Sequence, residues 1–501
     1  MTTPTARHSS RLTAQRRSAE LASLGTEVVD VLVIGGGVTG AGVALDAATR
    51  GLSVALVEKN DLAAGTSRWS SKLAHGGLRY IVAGQVGVAW ESAVERNHLV
   101  RTIAPHLVSP MRFVIPDLPD YPRGNRTLAR TGFAIADVLR IAARTPRALP
   151  RTRWVDPAQA RSLVPALRSD LAGAFVTVDG CLEDDARLVV AIARTAASYG
   201  ARIVTHCRAL QVHREGARVR DELTGAECDL RARCVVVTTG VWSGGLVTGV
   251  PLQPSKGAHL LVRADALGHP TSGFNILVPG SRNRFVFAVP RPDGTVQVGL
   301  TDEAVDVVED EPSVSEADEA FLLDTLSSGL ATPLSPEVVV GRFAGLRPLL
   351  GQAGGDSAAD LSRRHALLDR DGVLVVVGGK LTTYRRMAQD AVDRVARRLD
   401  RNIACVTTQV PLVGAGEPPA RAHRRLARRF GAEAAEVGAV GPSEPVVAEG
   451  PPLRCEVAWA VAAEGAVTAD DVDRRLRLDL LPAWSAAARP YVDEVVEARL
   501  P

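Results

Sequence analysis

Residues 28–58 read VVDVLVIGGGVTGAGVALDAATRGLSVALVE. Val28–Ile34 is a continuous apolar run of strand length, the pattern of a parallel strand buried on both faces. It runs into Gly35-Gly36-Gly37; Val38–Arg50 is then alanine-rich with helical spacing, and Gly51 reads as the helix stop. A second short strand, Ser53–Val57, ends on Glu58. Strand, glycine turn, helix and strand in that order make a βαβ opening. Gly35 permits the tight turn, Gly37 lets a pyrophosphate approach the backbone, and Gly40 lets helix and strand pack closely. Free N–H groups at the helix start face that pyrophosphate. Glu58, 18 residues after Gly40, is placed to accept hydrogen bonds from ribose hydroxyls. A bound dinucleotide is the expectation.

Outward from this unit, further apolar strands are expected at Ile203–Val204, Val235–Thr238 and Val373–Val377, the last two each followed by glycine and a helix start. Residues 285–300 alternate instead and turn at Pro292-Asp293-Gly294, an antiparallel hairpin signature. The spacing thus predicts one parallel-stranded, Rossmann-like α/β domain assembled discontinuously from 28–95, 170–244 and 341–413. An antiparallel α+β domain for the substrate, from 96–169 and 245–340, is inserted into it. After the linker Gly414–Pro419 the chain is rich in Ala, Arg and Glu at helical spacing, so 414–501 reads as a helical C-terminal domain. Residues 1–27, with Arg7, Arg11, Arg16 and Arg17 ahead of Leu24, read as a solvated, partly disordered arm. A membrane-surface contact is the alternative for that arm.

A chain of 501 residues, 46% apolar and 23% charged, supports two or three ordinary cores. A net charge of +3 argues against a nucleic-acid binder built on a dense basic face. Cysteines at 181, 207, 228, 234, 405 and 455 form neither a disulfide framework nor a zinc spacing, so free thiols, no metal and a cytoplasmic setting are expected. No apolar run approaches the ~20 residues of a membrane span. Only four of the 59 basic residues are lysines: Lys59, Lys72, Lys256 and Lys380. A lysine kept against that bias marks a place that needs a compact ammonium rather than a planar guanidinium.

Only one glycine fingerprint has strand context, so the second dinucleotide site of flavin enzymes that also bind NAD is missing. Residues 65–80, GTSRWSSKLAHGGLRY, are dense in hydroxyls, glycines and cations; 235–242 read VVVTTGVW and 374–386 read LVVVGGKLTTYRR. In order along the chain stand GGGxxGAG at 35–42, SSKLxHGGLRY at 70–80, APHL at 104–107 and DDARL at 184–188. KGxH at 256–259, GxTD at 299–302, GxRPL at 345–349 and GGKLTTYR at 378–385 follow. This series resembles the FAD-dependent glycerol-3-phosphate dehydrogenase family, within the glycine-oxidase and D-amino-acid-oxidase class of flavoproteins. The resemblance is close over 28 to about 400 and looser in the helical tail. Val241, Ala258 and Leu300 depart from the family's usual residues, which touches fine tuning of flavin or substrate contacts.

The resemblance implies oxidation of sn-glycerol 3-phosphate to dihydroxyacetone phosphate by hydride transfer to FAD, with electrons passed to a quinone. It further implies a location peripheral on the inner face of the cytoplasmic membrane. Flavin contacts are expected from Thr66, Ser67, Ser70, Ser71, Lys72, Gly76, Gly77, Ala209, Thr239, Gly240, Gly379, Lys380, Leu381 and Thr382, besides Gly35, Gly37, Gly40 and Glu58. Lys380, at a helix start after two glycines, can stabilise negative charge on reduced flavin or substrate oxygens. Arg79 and Arg347 offer planar forks for a phosphate, with Tyr80 and Thr383 as further hydrogen-bond donors. His75 and His259 compete as general base. Rival readings are a glycerol-3-phosphate oxidase using O2, a flavin amine oxidase on the same scaffold and an FAD-dependent tRNA-modifying protein. The last predicts a basic tail, whereas here acids mix freely with arginines. The oligomeric state stays open, a homodimer included.

Overall fold

The computed structural model describes residues 8–74, 86–122, 124–142, 149–281, 284–351, 365–448 and 450–499. The apolar opening run forms the strand Val28–Ile34, flanked in parallel by Val54–Val57 on one side and Glu227–Val237 on the other. Arg202–Val204 and Val373–Val377 extend the parallel set at either end, and Ala366–Arg370 adds an antiparallel edge. Strands from the beginning, middle and end of the chain thus share one sheet, as the interleaving predicted. Val54–Val57 and Val373–Val377 are buried at every position, which accounts for their unbroken apolar character. The helix Val38–Thr49 packs on this sheet, and an added Cβ at Gly40 would lie 1.9 Å from the Gly35 carbonyl oxygen. Only glycine allows that approach.

The second sheet has ten strands among the described residues. It is mostly antiparallel and contains the expected hairpin as Phe285–Pro290 and Thr295–Gly299. Two boundaries move. Gly173–Leu182 and Val339–Leu350, read from sequence as parts of the parallel-stranded domain, pair instead in the second sheet, with Val108–Asp117 and Leu252–Arg263. Their apolar alternation suits either sheet, and the pairing partner decides.

The N-terminal segment is also corrected. From residue 8 it docks on the body, with the helix Ala14–Leu24 capped by Thr13, and Leu12, Arg17 and Leu24 are buried. Arg17 donates to the carbonyls of Thr205 and His206 and pairs with Asp221. A charge that looked solvated is therefore neutralised inside.

The C-terminal region is helical, as its composition predicted, ending in Pro482–Arg499. It is fastened to the parallel-sheet body by buried ion pairs: Arg187 with Glu464 at 2.6 Å, Arg429 with Asp184 at 2.9 Å, and Arg475 with Asp61. Burial alone would raise the Glu464 pKa, but Arg187 and Arg194 bring it down to about 2. Such pairs add little net stability, yet removing one partner costs about 3–5 kcal/mol because a buried charge is left behind.

Candidate active site

A single cavity of about 820 Å³ runs from the opening glycine turn to the second sheet. At its first end Gly36 N–H donates to Glu58 Oε2 at 2.6 Å and Asn60 N–H to Oε1 at 2.9 Å, so the carboxylate is fixed at the sheet's carboxyl edge. An added Cβ on Gly36 would sit 2.8 Å from the Glu58 Cβ. Ser67 Oγ accepts from Val38 N–H at 2.9 Å, capping the start of Val38–Thr49 across 29 residues of chain. Gly36→Ala should push Glu58 aside and release the dinucleotide. We expect Gly36→Ala protein to be purified with less than about a tenth of the wild-type cofactor, a loss of roughly 1.4 kcal/mol or more in binding. Absorbance of the heat-released cofactor measures it, and wild-type content would remove Gly36 and Glu58 from the binding argument.

The other end is built from three strands. Val373–Val377 delivers Gly378, Gly379 and Lys380, and Lys380 precedes the turn Leu381–Thr383 and the helix Tyr384–Arg398. Its Nζ donates to Ser92 Oγ at 2.9 Å. Leu252–Arg263 carries His259, whose ring stacks on Phe343 with centroids 4.6 Å apart and whose Nε2 lies 3.2 Å from Ser71 Oγ. Burial, then the nearby Arg347 and Lys72 cations, hold the His259 pKa well below its usual value, so the imidazole is kept in its neutral form. Val339–Leu350 carries Arg347, which donates to Asp302 at 3.1 Å and to the Thr301 carbonyl at 3.2 Å. The guanidinium crosses Gly257, where an added Cβ would stand 1.9 Å from Nη2. The glycine of KGxH is therefore there to make room for the arginine of GxRPL.

Of the residues singled out from sequence, Gly35, Gly37, Glu58, Thr66, Ser67, Ser70 and Ser71 line this cavity. Ala209, Thr239, Gly240, His259, Arg347, Gly379, Lys380, Leu381 and Thr382 line it too. Three expected contacts lie elsewhere. Lys72 is buried with its Nζ 3.3 Å from Asp185, and burial lowers its pKa to about 8. Gly40 lies within the helix Val38–Thr49, turned to the Gly35 carbonyl and Thr238, and Thr383 is buried with Oγ1 donating to the Lys380 carbonyl at 3.3 Å. His75, Gly76, Gly77, Arg79 and Tyr80 lie outside the described residues.

The sequence reading missed several groups. Asp185 accepts from both the N–H and the Oγ of Ser70 and faces Lys72, so it holds the loop that sets Ser71 against His259. It was visible only as part of DDARL. Asp302, the last residue of GxTD, orients Arg347. Arg96, paired with Asp179 at 2.5 Å, lines the cavity without any sequence motif to mark it.

The model of the family described as FAD dependent oxidoreductase matches residues 30–385. Glycerol-3-phosphate dehydrogenase 1 of Mycobacterium tuberculosis is 46% identical over 496 residues, covering 95% of this chain and 96% of that protein. The chain belongs to the FAD-dependent glycerol-3-phosphate dehydrogenase family. Among solved structures, the glycerol-3-phosphate dehydrogenase from Bacillus halodurans complexed with FAD is similar with a TM-score of 0.74 and 26% identity, over 97% of this chain and 94% of that one. The L-alpha-glycerophosphate oxidase of Mycoplasma pneumoniae with FAD bound shares the fold at 19% identity and a TM-score of 0.58, over 77% of this chain and 99% of that one. A dehydrogenase and an oxidase of the class thus share this fold. FAD is the cofactor of the glycerol-3-phosphate dehydrogenase family, and the residues here fit it: a glycine turn, a fixed Glu58 and a helix N-terminus at one end, cations and hydroxyls at the other.

Proposed function

We propose that the protein oxidises sn-glycerol 3-phosphate to dihydroxyacetone phosphate and passes the electrons to a quinone. The observation that supports this most is the joining of Glu58, His259, Arg347 and Lys380 along one cavity, although they come from four separate strands or turns. Arg347, the phosphate candidate among the described residues, holds the substrate phosphate, and Arg79 is the second candidate by sequence; a planar fork matches two phosphate oxygens at once. His259, neutral and hydrogen-bonded at Nε2 to Ser71, takes the proton of the C2 hydroxyl. Lys380 places a positive charge at a helix start, where negative charge develops as C2 is oxidised. Bound FAD supplies the hydride acceptor and the outlet for two electrons. Asp185 keeps the Ser70–Lys72 loop in place, so Ser71 meets His259 in one orientation.

The absence of a second dinucleotide fingerprint in the sequence supports an acceptor other than NAD. Anaerobic addition of glycerol 3-phosphate should bleach the yellow protein, whereas glycerol should not. A quinone analogue should then restore the colour far faster than air. Bleaching by glycerol would remove the phosphate argument; peroxide formed one-for-one at full speed in air would make the protein an oxidase.

A further inference from the structure

We infer that the Ser71 hydroxyl relays the proton of the substrate C2 hydroxyl to His259 Nε2. Two adjacent serines, both expected from sequence among the flavin contacts, do different work in the fold. Ser70 is tied down: its Oγ and N–H donate to Asp185 at 2.7 and 2.9 Å, and its carbonyl accepts from the buried Gln297 at 3.3 Å. Lys72, at a φ of 55°, is held on the other side by the Leu182 N–H, which donates to its carbonyl at 2.7 Å. Ser71 is thus fixed through both neighbours, and its side chain takes no part in the fixing. Among the described residues its Oγ has one partner, His259 Nε2 at 3.2 Å.

The imidazole has little room to turn from that hydroxyl. On the neighbouring strands His259 faces Gly299 on one side and Phe343 on the other. The Phe343 ring lies within 9° of parallel to it, and an added Cβ at Gly299 would stand 2.4 Å from Cδ2 and 3.0 Å from Nε2. The glycine of GxTD thus makes room for the histidine of KGxH. Nδ1 is closed off from solvent and the whole residue is 2% exposed, whereas Ser71 is half-buried on the cavity wall. A substrate in the cavity therefore meets the hydroxyl before the ring. A serine hydroxyl has one proton to give and two lone pairs, so with its proton on Nε2 it still accepts from an alcohol. As C2 gives up its hydride to the flavin, the O–H bond of the C2 hydroxyl breaks and its proton joins Ser71 Oγ. The proton already on Ser71 moves to Nε2, and the C2–O bond becomes a carbonyl. One hydride and one proton have then left the alcohol, and the serine is a hydroxyl again. Substrate phosphate on Arg347 offsets one of the two cations that keep the imidazole neutral, so the ring takes up the proton with substrate in place.

This relay deepens the proposed oxidation and rests on His259 as the destination of the proton. It is tested by anaerobic stopped-flow reduction of the holoenzyme with glycerol 3-phosphate, in mixtures of H2O and D2O. Two protons moving in the step that reduces the flavin should give a bowed plot of rate against deuterium fraction. Ser71→Ala protein, checked for full FAD content, should reduce its flavin about 10–100-fold more slowly, a share of the roughly 10²–10⁴ that positioned proton transfer contributes. Its plot should become straight. Ser71→Thr keeps the hydroxyl and should recover most of the rate together with the bowing. A straight or flat wild-type plot overturns the relay whatever the variants do. Ser71→Ala protein as fast as wild type overturns it too, and so does a slow one with the bowing intact, because the serine would then only position the ring. His259→Gln separates the relay from the reading beneath it. Slowing in His259→Gln with full speed in Ser71→Ala removes the relay alone, whereas full speed in His259→Gln removes the base and the relay with it.

Discussion

Lys380→Met is expected to lower kcat for glycerol 3-phosphate by about 10²–10³, the usual cost of removing one preorganised charge from a transition state. FAD content and KM should change little. The ammonium is held at 2.9 Å from Ser92 Oγ, and Lys380 is the cap residue just before the turn Leu381–Thr383, so its charge and the free N–H groups of that turn stand at the same end of the cavity. Methionine keeps most of the side chain's length and removes the charge together with the donation to Ser92 Oγ. If the lysine acts on charge that develops during oxidation, single-turnover stopped-flow will show the slowing directly, and it will persist at saturating substrate. A variant slowed only below saturation would instead place Lys380 among the binding groups.

The second large effect is expected from Arg347→Lys. Positive charge is kept, but the planar fork is lost, and with it a charged hydrogen bond of about 1.5–3 kcal/mol, which corresponds to a rise in KM of roughly 10–100-fold. Asp302 and the Thr301 carbonyl fix the guanidinium plane, and Gly257 leaves the space that it fills. A lysine can satisfy Asp302 but cannot span the same gap. Some loss of kcat should accompany the change, because a phosphate held by one point no longer aligns C2. Unchanged KM in fully loaded Arg347→Lys protein would exclude Arg347 from the phosphate site.

What could be read in advance depended on how local the cause was. The turn Gly35–Gly40, the strand ending on Glu58 and the Gly378–Lys380 junction are set by neighbours in sequence, and all three lie where the residues implied. Lys72 was misread because its partner, Asp185, is more than a hundred residues away; a lysine in a hydroxyl-rich loop looks like a phosphate ligand until its carboxylate is seen. Arg17 was misread for the same reason, its partners being Asp221 and two distant carbonyls. Strands 173–182 and 339–350 carry patterns that either sheet could accept, and only pairing distinguished them.

The interleaved parallel sheet also bears on how the chain is made. Val31 pairs with Cys234, and Val236 in turn with Leu374. During synthesis at about 5–20 residues per second, the opening strand waits on the order of 10–40 s for its central neighbour. Throughout that interval VVDVLVI is an apolar segment with an unsatisfied edge, of the kind that other nascent chains can pair with. The residues that make the cofactor site compact in the finished protein therefore leave the growing one with an unpaired apolar edge until residues 227–237 have been made.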